Sequence, residues 1–507
     1  MAHAEDETIP VWSAPAAPAE PRPLTGDLRV DVCVVGAGIA GLSTAYLLAR
    51  AGRRVAVLES GPGVALGETG RSTAHLASAV DDGFVALERL FGADGARLMA
   101  ESHAAAIESM ATIVAAEGID CGFGRLEAFL FNPPGGGVDL AAELEASRRA
   151  GLAAEMAARA PLDGFETGPA IRYRNQARCD PLAYARGLAA ALERLGGRVF
   201  TGSWAASIEG GHPARVSCAH GWHVLADAVV VATNVPVNDR VTLHGKMMPH
   251  RTYAVAAPCE PGGAVDALFW DTAQPYHYAR FARDGGGRSM LVVGGEDHRV
   301  GHPAHGDQRW GRLEAWARER FPAMGAVGWR WSGQIMEPVD RVAFIGRNPM
   351  DEDNVFVACG DSGDGITHGA IAGLLITDLV LGRDNPWTAL YDPSRVTLKA
   401  ASGYADTNLH VAEHYAEWLT GGDVDTVRDI PSGQGAVLRS GLSKIAVYRD
   451  ESGTVHRRSA VCPHLKCIVA WNDAEKSWDC ACHGSRFDRF GRVLNGPANA
   501  PLPSVDE

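Results

Sequence analysis

Two short clusters near the C-terminus carry redox chemistry in their spacing. Residues 462–467 read CPHLKC and residues 480–485 read CACHGS, that is C-x-H, fifteen residues, then C-x-x-H. Two thiolates can hold one iron and two neutral imidazoles the other iron of a [2Fe–2S] pair, at a higher potential than an all-cysteine cluster. Cys462 and Cys480 would take one iron, His464 and His483 the other. Zinc is the competing use of the same residue types. Near the N-terminus, Gly36, Gly38 and Gly41 stand in the order G-x-G-x-x-G. Gly36 permits a tight turn, Gly38 lets a pyrophosphate approach the backbone, and Gly41 lets helix and strand pack closely. Glu59, some twenty residues on, can accept from both ribose hydroxyls and would repel a 2′-phosphate. The ligand is therefore FAD or NAD rather than NADP.

These residues need elements to position them. Val30–Val35 is a nearly unbroken apolar run, as a buried parallel strand would be, and Leu42–Ala51 has helical spacing. Val55–Leu58 is a second apolar strand that ends at Glu59. A helix opening at the glycines presents free N–H groups and a positive dipole end to phosphates. The loop Gly61–Ser78 is rich in small and hydroxylic residues and can run along the cofactor; a long helical region, about 81–117, follows it. The pattern continues with helices at Asp139–Ala160 and Asp180–Gly196, strand and turn at Arg198–Ile208, and a buried parallel strand at Ala228–Thr233. Residues 245–322 read as a second, mostly antiparallel layer, with strands at Met247–Ala257 and Ser289–Gly294 and a helix at Gln308–Arg320. The strand Asn354–Ala358 then leads into Gly360, Gly363, Gly365 and Gly369 and the helical Ala370–Leu381. Ala401–Leu419 is an amphipathic helix and Thr420–Gly435 a polar linker. The remainder is strand-like with many turns.

Length and composition bound the answer. A chain of 507 residues should hold two to four domains. A formal charge of −14 without a basic stripe argues against a nucleic-acid partner. No membrane span is expected, because no apolar run reaches the ~18 residues a spanning helix needs. The first 28 residues lack a basic segment followed by an apolar one, so they read as a flexible or surface-draped arm and the expected location is cytoplasmic. Six of the ten cysteines (Cys33, Cys121, Cys179, Cys218, Cys259, Cys359) are scattered and read as inert. His410-Val411-Ala412-Glu413-His414 matches the H-x-x-E-H zinc pattern, but on a linker helix it reads as a solvated face.

The stretches VDVCVVGAGIAGLSTAYLLARAGRRVAVLES, GETGRSTAHLAS, WSGQIMEPVDRVAFIGR and NVFVACGDSGDGITHGAIAGLLITDLVLG resemble the D-amino-acid-oxidase-like FAD oxidoreductases, which include glycine and sarcosine oxidases. The resemblance covers about residues 29–400. It implies FAD held by Gly36, Gly38, Gly41 and Glu59, by the loop Gly70, Arg71, Ser72, Thr73 and His75, and by Gly360, Gly363, Gly365, Ile366 and Thr367. A helix starting near Gly369 would aim its positive end at the flavin pyrimidine edge. His75 sits where some dehydrogenases of this group attach flavin covalently; covalent attachment, a non-covalent contact and a structural role all stay open. Substrate contacts are expected from Arg251, Tyr253, His277, Tyr278 and Arg280. Val292 aligns with a lysine that oxygen-reactive relatives keep over the flavin, which puts direct oxidase activity in doubt.

The C-terminal region, about 436–507, resembles Rieske [2Fe–2S] domains. That resemblance implies a disulfide between Cys467 and Cys482 clipping the two ligand loops, and a third covering loop near Asn495-Gly496-Pro497. Ser485 would donate toward a cluster sulfur, while Phe487 replaces a donating tyrosine.

The expected fold class is thus an α/β doubly wound FAD-binding domain with an inserted α+β substrate domain, plus a small all-β Rieske domain. The divisions are 1–28 for the extension, 29–400 for the flavin oxidoreductase, 401–435 for helix and linker, and 436–507 for the Rieske domain. FAD-binding parts fall at about 29–120, 178–240 and 330–400, and substrate-domain parts at about 121–177 and 241–329. The expected activity is hydride transfer from a C–N bond of an amine, N-methyl amine or amino acid to FAD. Electrons would pass singly through the Rieske cluster to an external carrier, ferredoxin-like or quinone. Reverse flow from an external donor, or redox sensing without turnover, are the alternatives.

Overall fold

The computed structural model describes residues 8–13, 20–238, 242–262, 264–301 and 306–505. The strand Leu28–Val35 lies at the centre of a sheet ordered Phe344–Arg347, Val355–Cys359, His223–Asn234, Leu28–Val35, Val55–Leu58 and Arg198–Phe200. Along that order every pairing except that of the Phe344–Arg347 edge is parallel, with Val34 opposite Val57 on one side and Val230 on the other, and Ala214–Cys218 adds an antiparallel branch on His223–Asn234. Valine on both faces of these strands is covered by helices Ile39–Arg50, Gly365–Val380 and Phe84–Glu117 on one side. An antiparallel pair, Ala205–Glu209 and Ala214–Cys218, contributes to the apolar cluster on the other.

The second sheet is mostly antiparallel and runs Trp329–Pro338, Met247–Pro258, Ser289–Arg299, His277–Arg283, Leu268–Asp271, Gly124–Phe131, Ala170–Arg178, His75–Leu76. Its strands come from segments inserted between those of the first sheet, as the α+β layer was expected to be. The C-terminal region forms two small antiparallel sheets, Gln434–Ser440 with Ser443–Arg449 and Val455–Ser459, and Val469–Asn472 with Ser477–Cys480, Arg486–Asp488 and Val493–Asn495. Trp478 and Phe487 fill the core beneath the cysteine loops.

Several local readings need correction. The helix expected over 139–160 runs only over Leu140–Arg149, capped by the Asp139 carboxylate; Gly151, at φ 95°, turns the chain into a strand at Ala154–Ala157. The helix after the second glycine loop begins at Gly365, not near Gly369. The N-terminal arm is not simply draped. Val11 and Trp12 are buried, the Trp12 indole donates to the Ser72 carbonyl at 2.9 Å, and its ring lies 5.0 Å from the Arg280 guanidinium. Residues 1–7 and 14–19 of that arm lie outside the described residues. The linker helix is α-helical over Ala401–Tyr415 and tightens to a 3₁₀ turn at Ala416–Leu419. His410 on it is buried rather than solvated, its ring 4.6 Å from that of His414. The helix and the turn after it pack on the first ligand loop, where Trp418 donates to the Lys466 carbonyl at 2.9 Å.

Candidate functional site

A cavity of about 310 Å³ opens where the two large sheets and the C-terminal region meet. Its floor is the first glycine turn. A Cβ on Gly36 would stand 2.3 Å from the Ala232 carbonyl oxygen, so only glycine fits between the two parallel strands. Gly38 exposes its backbone to the cavity, while Gly41 does not line it. Gly41 acts behind the wall: a Cβ there would lie 2.0 Å from the Gly36 oxygen, so it sets how closely helix and turn pack. The Glu59 carboxylate accepts from the Ala37 N–H at 2.8 Å and the Gly61 N–H at 2.7 Å and still faces the cavity. The residues present thus fit a dinucleotide: a side-chain-free cradle, a helix N-terminus and a carboxylate at the end of the second strand.

The loop after it contributes Arg71, Ser72, Thr73 and His75 to the wall. His75 packs edge-on against Tyr278 at 4.9 Å, and its Nε2 is buried without a hydrogen-bond partner. Burial, and then Arg280, hold this imidazole neutral by pushing its pKa well below the ordinary value. On the far side Gly363, Gly365 and Ile366 line the cavity at the start of the helix Gly365–Val380. Gly70, Gly360 and Thr367, expected at the cofactor, do not line it. Gly70 abuts the Ala65 carbonyl, Gly360 turns at φ 71° against Pro338, and Thr367 faces the protein interior.

Of the five expected substrate contacts, Tyr253 and Tyr278 line the cavity, and Arg251, His277 and Arg280 do not. Arg280 is turned back to hold the main chain, donating to the Thr73 carbonyl at 2.6 Å and the Cys179 carbonyl at 2.7 Å. His277 stacks on Trp316 and bridges Asp271 at 3.1 Å and Glu296 at 3.3 Å. Burial would lower its pKa, but these two carboxylates raise it to about 8. Val292 is buried in the core instead of facing the cavity; Thr252, Tyr253 and Ala254 form the wall nearby. Asp81, Tyr276, Trp270 and Gln334 also line the cavity and were not singled out from the sequence. Asp81 opens the predicted long helix as one of two adjacent aspartates, a faint signal; the others carried none. Burial, then Asp82, pushes the Asp81 carboxyl up to about 7, while the Tyr276 hydroxyl donates to it at 3.2 Å.

The two ligand loops of the C-terminal region come together. Cys462 and Cys480 are buried free thiols in side-chain contact with each other. The His464 and His483 rings stand 5.0 Å apart at 88°, each with one ring nitrogen buried and unpartnered, Nε2 of His464 and Nδ1 of His483. Burial is the largest influence on both imidazoles and brings each down to about 3, the neutral form a metal requires. Cys467 and Cys482 form a disulfide across the two loops. Cys480 lies within 4.8 Å of both its sulfurs, but oxidised sulfurs are not thiolate ligands, so the free set is Cys2His2, which fits a [2Fe–2S] pair of this type. The Ser485 hydroxyl contacts the Cys462 sulfur and accepts from the Ala498 N–H at 2.9 Å.

The imidazole side of this centre faces the oxidoreductase module. His244 stands edge-on to His464 at 4.7 Å, and Gln334 donates to the Gly484 carbonyl at 2.7 Å. Gln334 lines the large cavity, as do Val493, Leu494, Asn495, Gly496, Ala498 and Asn499 of the third loop. Glu68 joins the parts, accepting from Gln334 N–H at 2.6 Å and from Asn495 Nδ2 at 2.9 Å. Beside it Glu475, its side chain 4% exposed, faces Arg251 at 3.2 Å, Arg486 at 3.4 Å and Arg71 at 3.6 Å. Burial would raise its pKa, yet the three guanidiniums, Arg251 foremost, hold it at about 2.

Comparison with known proteins agrees with this arrangement. Residues 31–379 match the family described as FAD dependent oxidoreductase, and residues 421–506 match the Rieske [2Fe–2S] domain. The chain is 30% identical over 490 residues to a putative Rieske 2Fe-2S iron-sulfur protein, YhfW, of Bacillus subtilis (strain 168), covering 95% of this chain and 94% of that one. It is 28% identical to gamma-glutamylputrescine oxidoreductase of Escherichia coli (strain K12), over 71% of this chain and 85% of that protein. Among solved structures, glycine oxidase from Geobacillus kaustophilus superposes with a TM-score of 0.60 at 18% identity, over 73% of this chain and 99% of that one, a likeness of fold.

Removing the Glu475 charge takes the shared carboxylate from the buried Arg251 and Arg486 and the partly exposed Arg71. Glu475→Gln should cost about 3–5 kcal/mol in chemical denaturation, the range seen when one partner of a buried ion pair is lost. A change within about 0.5 kcal/mol, the size of a neutral surface substitution, would show that this cluster does not hold the two modules together.

Proposed function

The chain belongs to the family of FAD dependent oxidoreductases and carries a C-terminal Rieske domain, and from that premise we propose that it oxidises the C–N bond of an amine, with electrons leaving singly through the iron–sulfur centre to an external one-electron carrier. FAD when bound takes a hydride from a carbon beside nitrogen, and the Rieske pair handles electrons one at a time. Gly36, Gly38, Glu59, Arg71, Ser72, Thr73, His75, Gly363, Gly365 and Ile366 are the groups that would hold FAD; Cys462, His464, Cys480 and His483 would hold the two irons. The observation that carries the reading is the shared wall: residues 493–499 of the C-terminal region line the same cavity as the first glycine turn.

The charge of that wall narrows the substrate. Arg71 is its only lysine or arginine among the described residues, against Glu59, Glu68, Asp81, Asp361 and Asp364. The Arg71 guanidinium is already engaged, by the Ser332 carbonyl at 2.8 Å and by Glu475. A substrate carboxylate has no free cation to meet, whereas an ammonium meets carboxylates. The reading therefore favours an amine or N-methyl amine over an amino acid. Gamma-glutamylputrescine oxidoreductase, among the relatives, is by its name an oxidoreductase of a putrescine derivative. Trp270, Tyr276 and Tyr278 would enclose the carbon chain and exclude water. Asp81 is placed to bind the ammonium and take its proton before hydride departs, because a protonated nitrogen cannot push electrons toward the leaving hydride. The cytoplasm is the compartment in which we place this activity.

Anaerobic rapid mixing with a panel of secondary and N-methyl amines tests the reading. Flavin bleaching followed by reduction of the cluster signal is expected. In Cys480→Ser, bleaching should persist and the second phase vanish. Reduction only by a ferredoxin or a nicotinamide donor would instead point to reverse flow, and no response to any amine would sink the amine reading. A second expectation concerns pH. Asp81 faces Asp82 and Glu337 as well as Tyr276, and its carboxyl is ionised only above about 7. The rate of flavin reduction at low amine concentration should rise with pH through that value and level off. Asp81→Asn should abolish the rise and slow reduction by roughly 10²–10⁴-fold near pH 8, the usual share of a proton acceptor. An unchanged profile would remove Asp81 from the mechanism.

A further inference from the structure

A second set of donor atoms converges on the opposite side of the helix N-terminus at Gly365. Asp364 is the N-cap of the helix Gly365–Val380 and His368 lies four residues on, so both occupy one helical face. His103 comes from the long helix Phe84–Glu117, which packs across it. The His103 and His368 rings meet edge-on with centroids 4.8 Å apart. His103 Nδ1 lies 3.0 Å from the Met99 carbonyl and His368 Nδ1 lies 2.9 Å from the Asp361 carbonyl. A carbonyl only accepts, so each Nδ1 carries the proton and each Nε2 presents a lone pair. Both Nε2 atoms are buried without a hydrogen-bond partner, on residues 0% and 3% exposed. One ring nitrogen of each histidine and an Asp364 carboxylate oxygen lie within 4.8 Å of one another. The separation of His103 Nε2 and Asp364 Oδ2, 3.9 Å, is too long for a hydrogen bond.

Two imidazole lone pairs thus face one point beside the Asp364 carboxyl, which accepts from the Asp81 N–H and which burial and its acidic neighbours hold protonated until a cation displaces that proton. Left so, each unpartnered ring nitrogen goes without the hydrogen bond that a buried polar atom ordinarily makes. Ligands about one ion at bonds of ~2.0–2.2 Å stand roughly 3–4 Å apart, so the cluster needs only a slight closing to become a coordination shell. The main-chain carbonyls that fix both rings are the outer partners that ligating histidines ordinarily have. Acidic groups are also in excess here: Asp361 and Asp364 make no ion pair with lysine or arginine among the described residues, and burial raises the pKa of both, a cost that a bound cation would relieve. We propose that His103, Asp364 and His368 form a binding site for a divalent first-row transition-metal ion, ferrous iron or zinc, separate from the iron–sulfur centre. Two imidazoles and one carboxylate leave further positions open on that ion. Asp364 and His368 line the large cavity and His103 does not, so the open positions face the cavity. The site does not depend on the amine reading.

The cluster contributes iron and acid-labile sulfide in equal amounts, which makes the second site countable. Holoenzyme incubated with Fe²⁺ or Zn²⁺ and desalted should carry about one iron beyond its sulfide, or one zinc. Zinc K-edge X-ray absorption should show nitrogen and oxygen neighbours only, at about 2.0–2.1 Å. His103→Gln and His103→Ala should both lose that equivalent while the flavin absorbance and the Rieske electron paramagnetic resonance signal remain. The proposal is overturned if no metal beyond the cluster is retained, if zinc shows sulfur neighbours and so occupies the cysteine loops, or if both variants keep the extra metal. Should the variants fail to fold, the wild-type absorption spectrum decides by the same sulfur criterion.

Discussion

The Glu475 carboxylate, buried among Arg71, Arg251 and Arg486, is the interaction on which the arrangement rests. It belongs to the C-terminal region, as does Arg486, while Arg71 and Arg251 belong to the flavin module. Desolvating such a group is expensive, and only close opposite charges recover that cost. The geometry is therefore stiff: a displacement of the C-terminal region would separate charges that have no water to turn to. Arg71 lies on the loop that lines the cavity and is also held by the Ser332 carbonyl, so the docking of one module fixes a wall of the other.

That constraint explains why the iron–sulfur loops face inward. His464 and His483 stand against His244, and Gly484 approaches Gln334 so closely that a Cβ there would lie 2.2 Å from the Gln334 amide nitrogen. On the proposed electron route, an imidazole edge buried against the flavin module would favour exchange within the chain over exchange with a partner at that edge. The third loop completes the contact: Asn495 and Asn499 hydrogen-bond across the boundary, to Glu68 and to the Ala205 and Ala206 carbonyls. The covering loop of one centre is thereby also a wall of the other.

Charge inside the cavity follows a different rule from charge at the docking surface. At Glu475 the carboxylate is outnumbered by guanidiniums and stays ionised. Around Asp81, Asp361 and Asp364 carboxylates outnumber cations, and burial and mutual repulsion push all three pKa values up. Such a region stores an affinity for cations, which a protonated amine, a metal ion or both can satisfy at adjoining places. The same physics that makes the interface rigid makes the cavity wall hungry for positive charge.

The two motifs and the elements around them were readable in the sequence because local geometry dictates them. A turn squeezed against Ala232 demands glycine at position 36, and ligand loops must carry their cysteines and histidines at fixed spacing. Alternation of strand and helix announced the doubly wound sheet, and inserted β-rich segments the second layer. The cavity wall was readable only in part: of the five side chains singled out for it, Tyr253 and Tyr278 line it and the other three do not. Arg251, His277 and Arg280 have the residue types for catalysis, yet their side chains are consumed by Glu475, by Asp271 and Glu296, and by main-chain carbonyls. The convergence of His103 on Asp364 and His368, 261 residues along the chain, leaves no local trace. Sequence by itself determined which cofactor chemistry the chain can host, since backbone conformation and ligand spacing are short-range properties. Only the tertiary structure decided which charged side chains are spent on packing and which are left facing the cavity, because that depends on partners from distant segments.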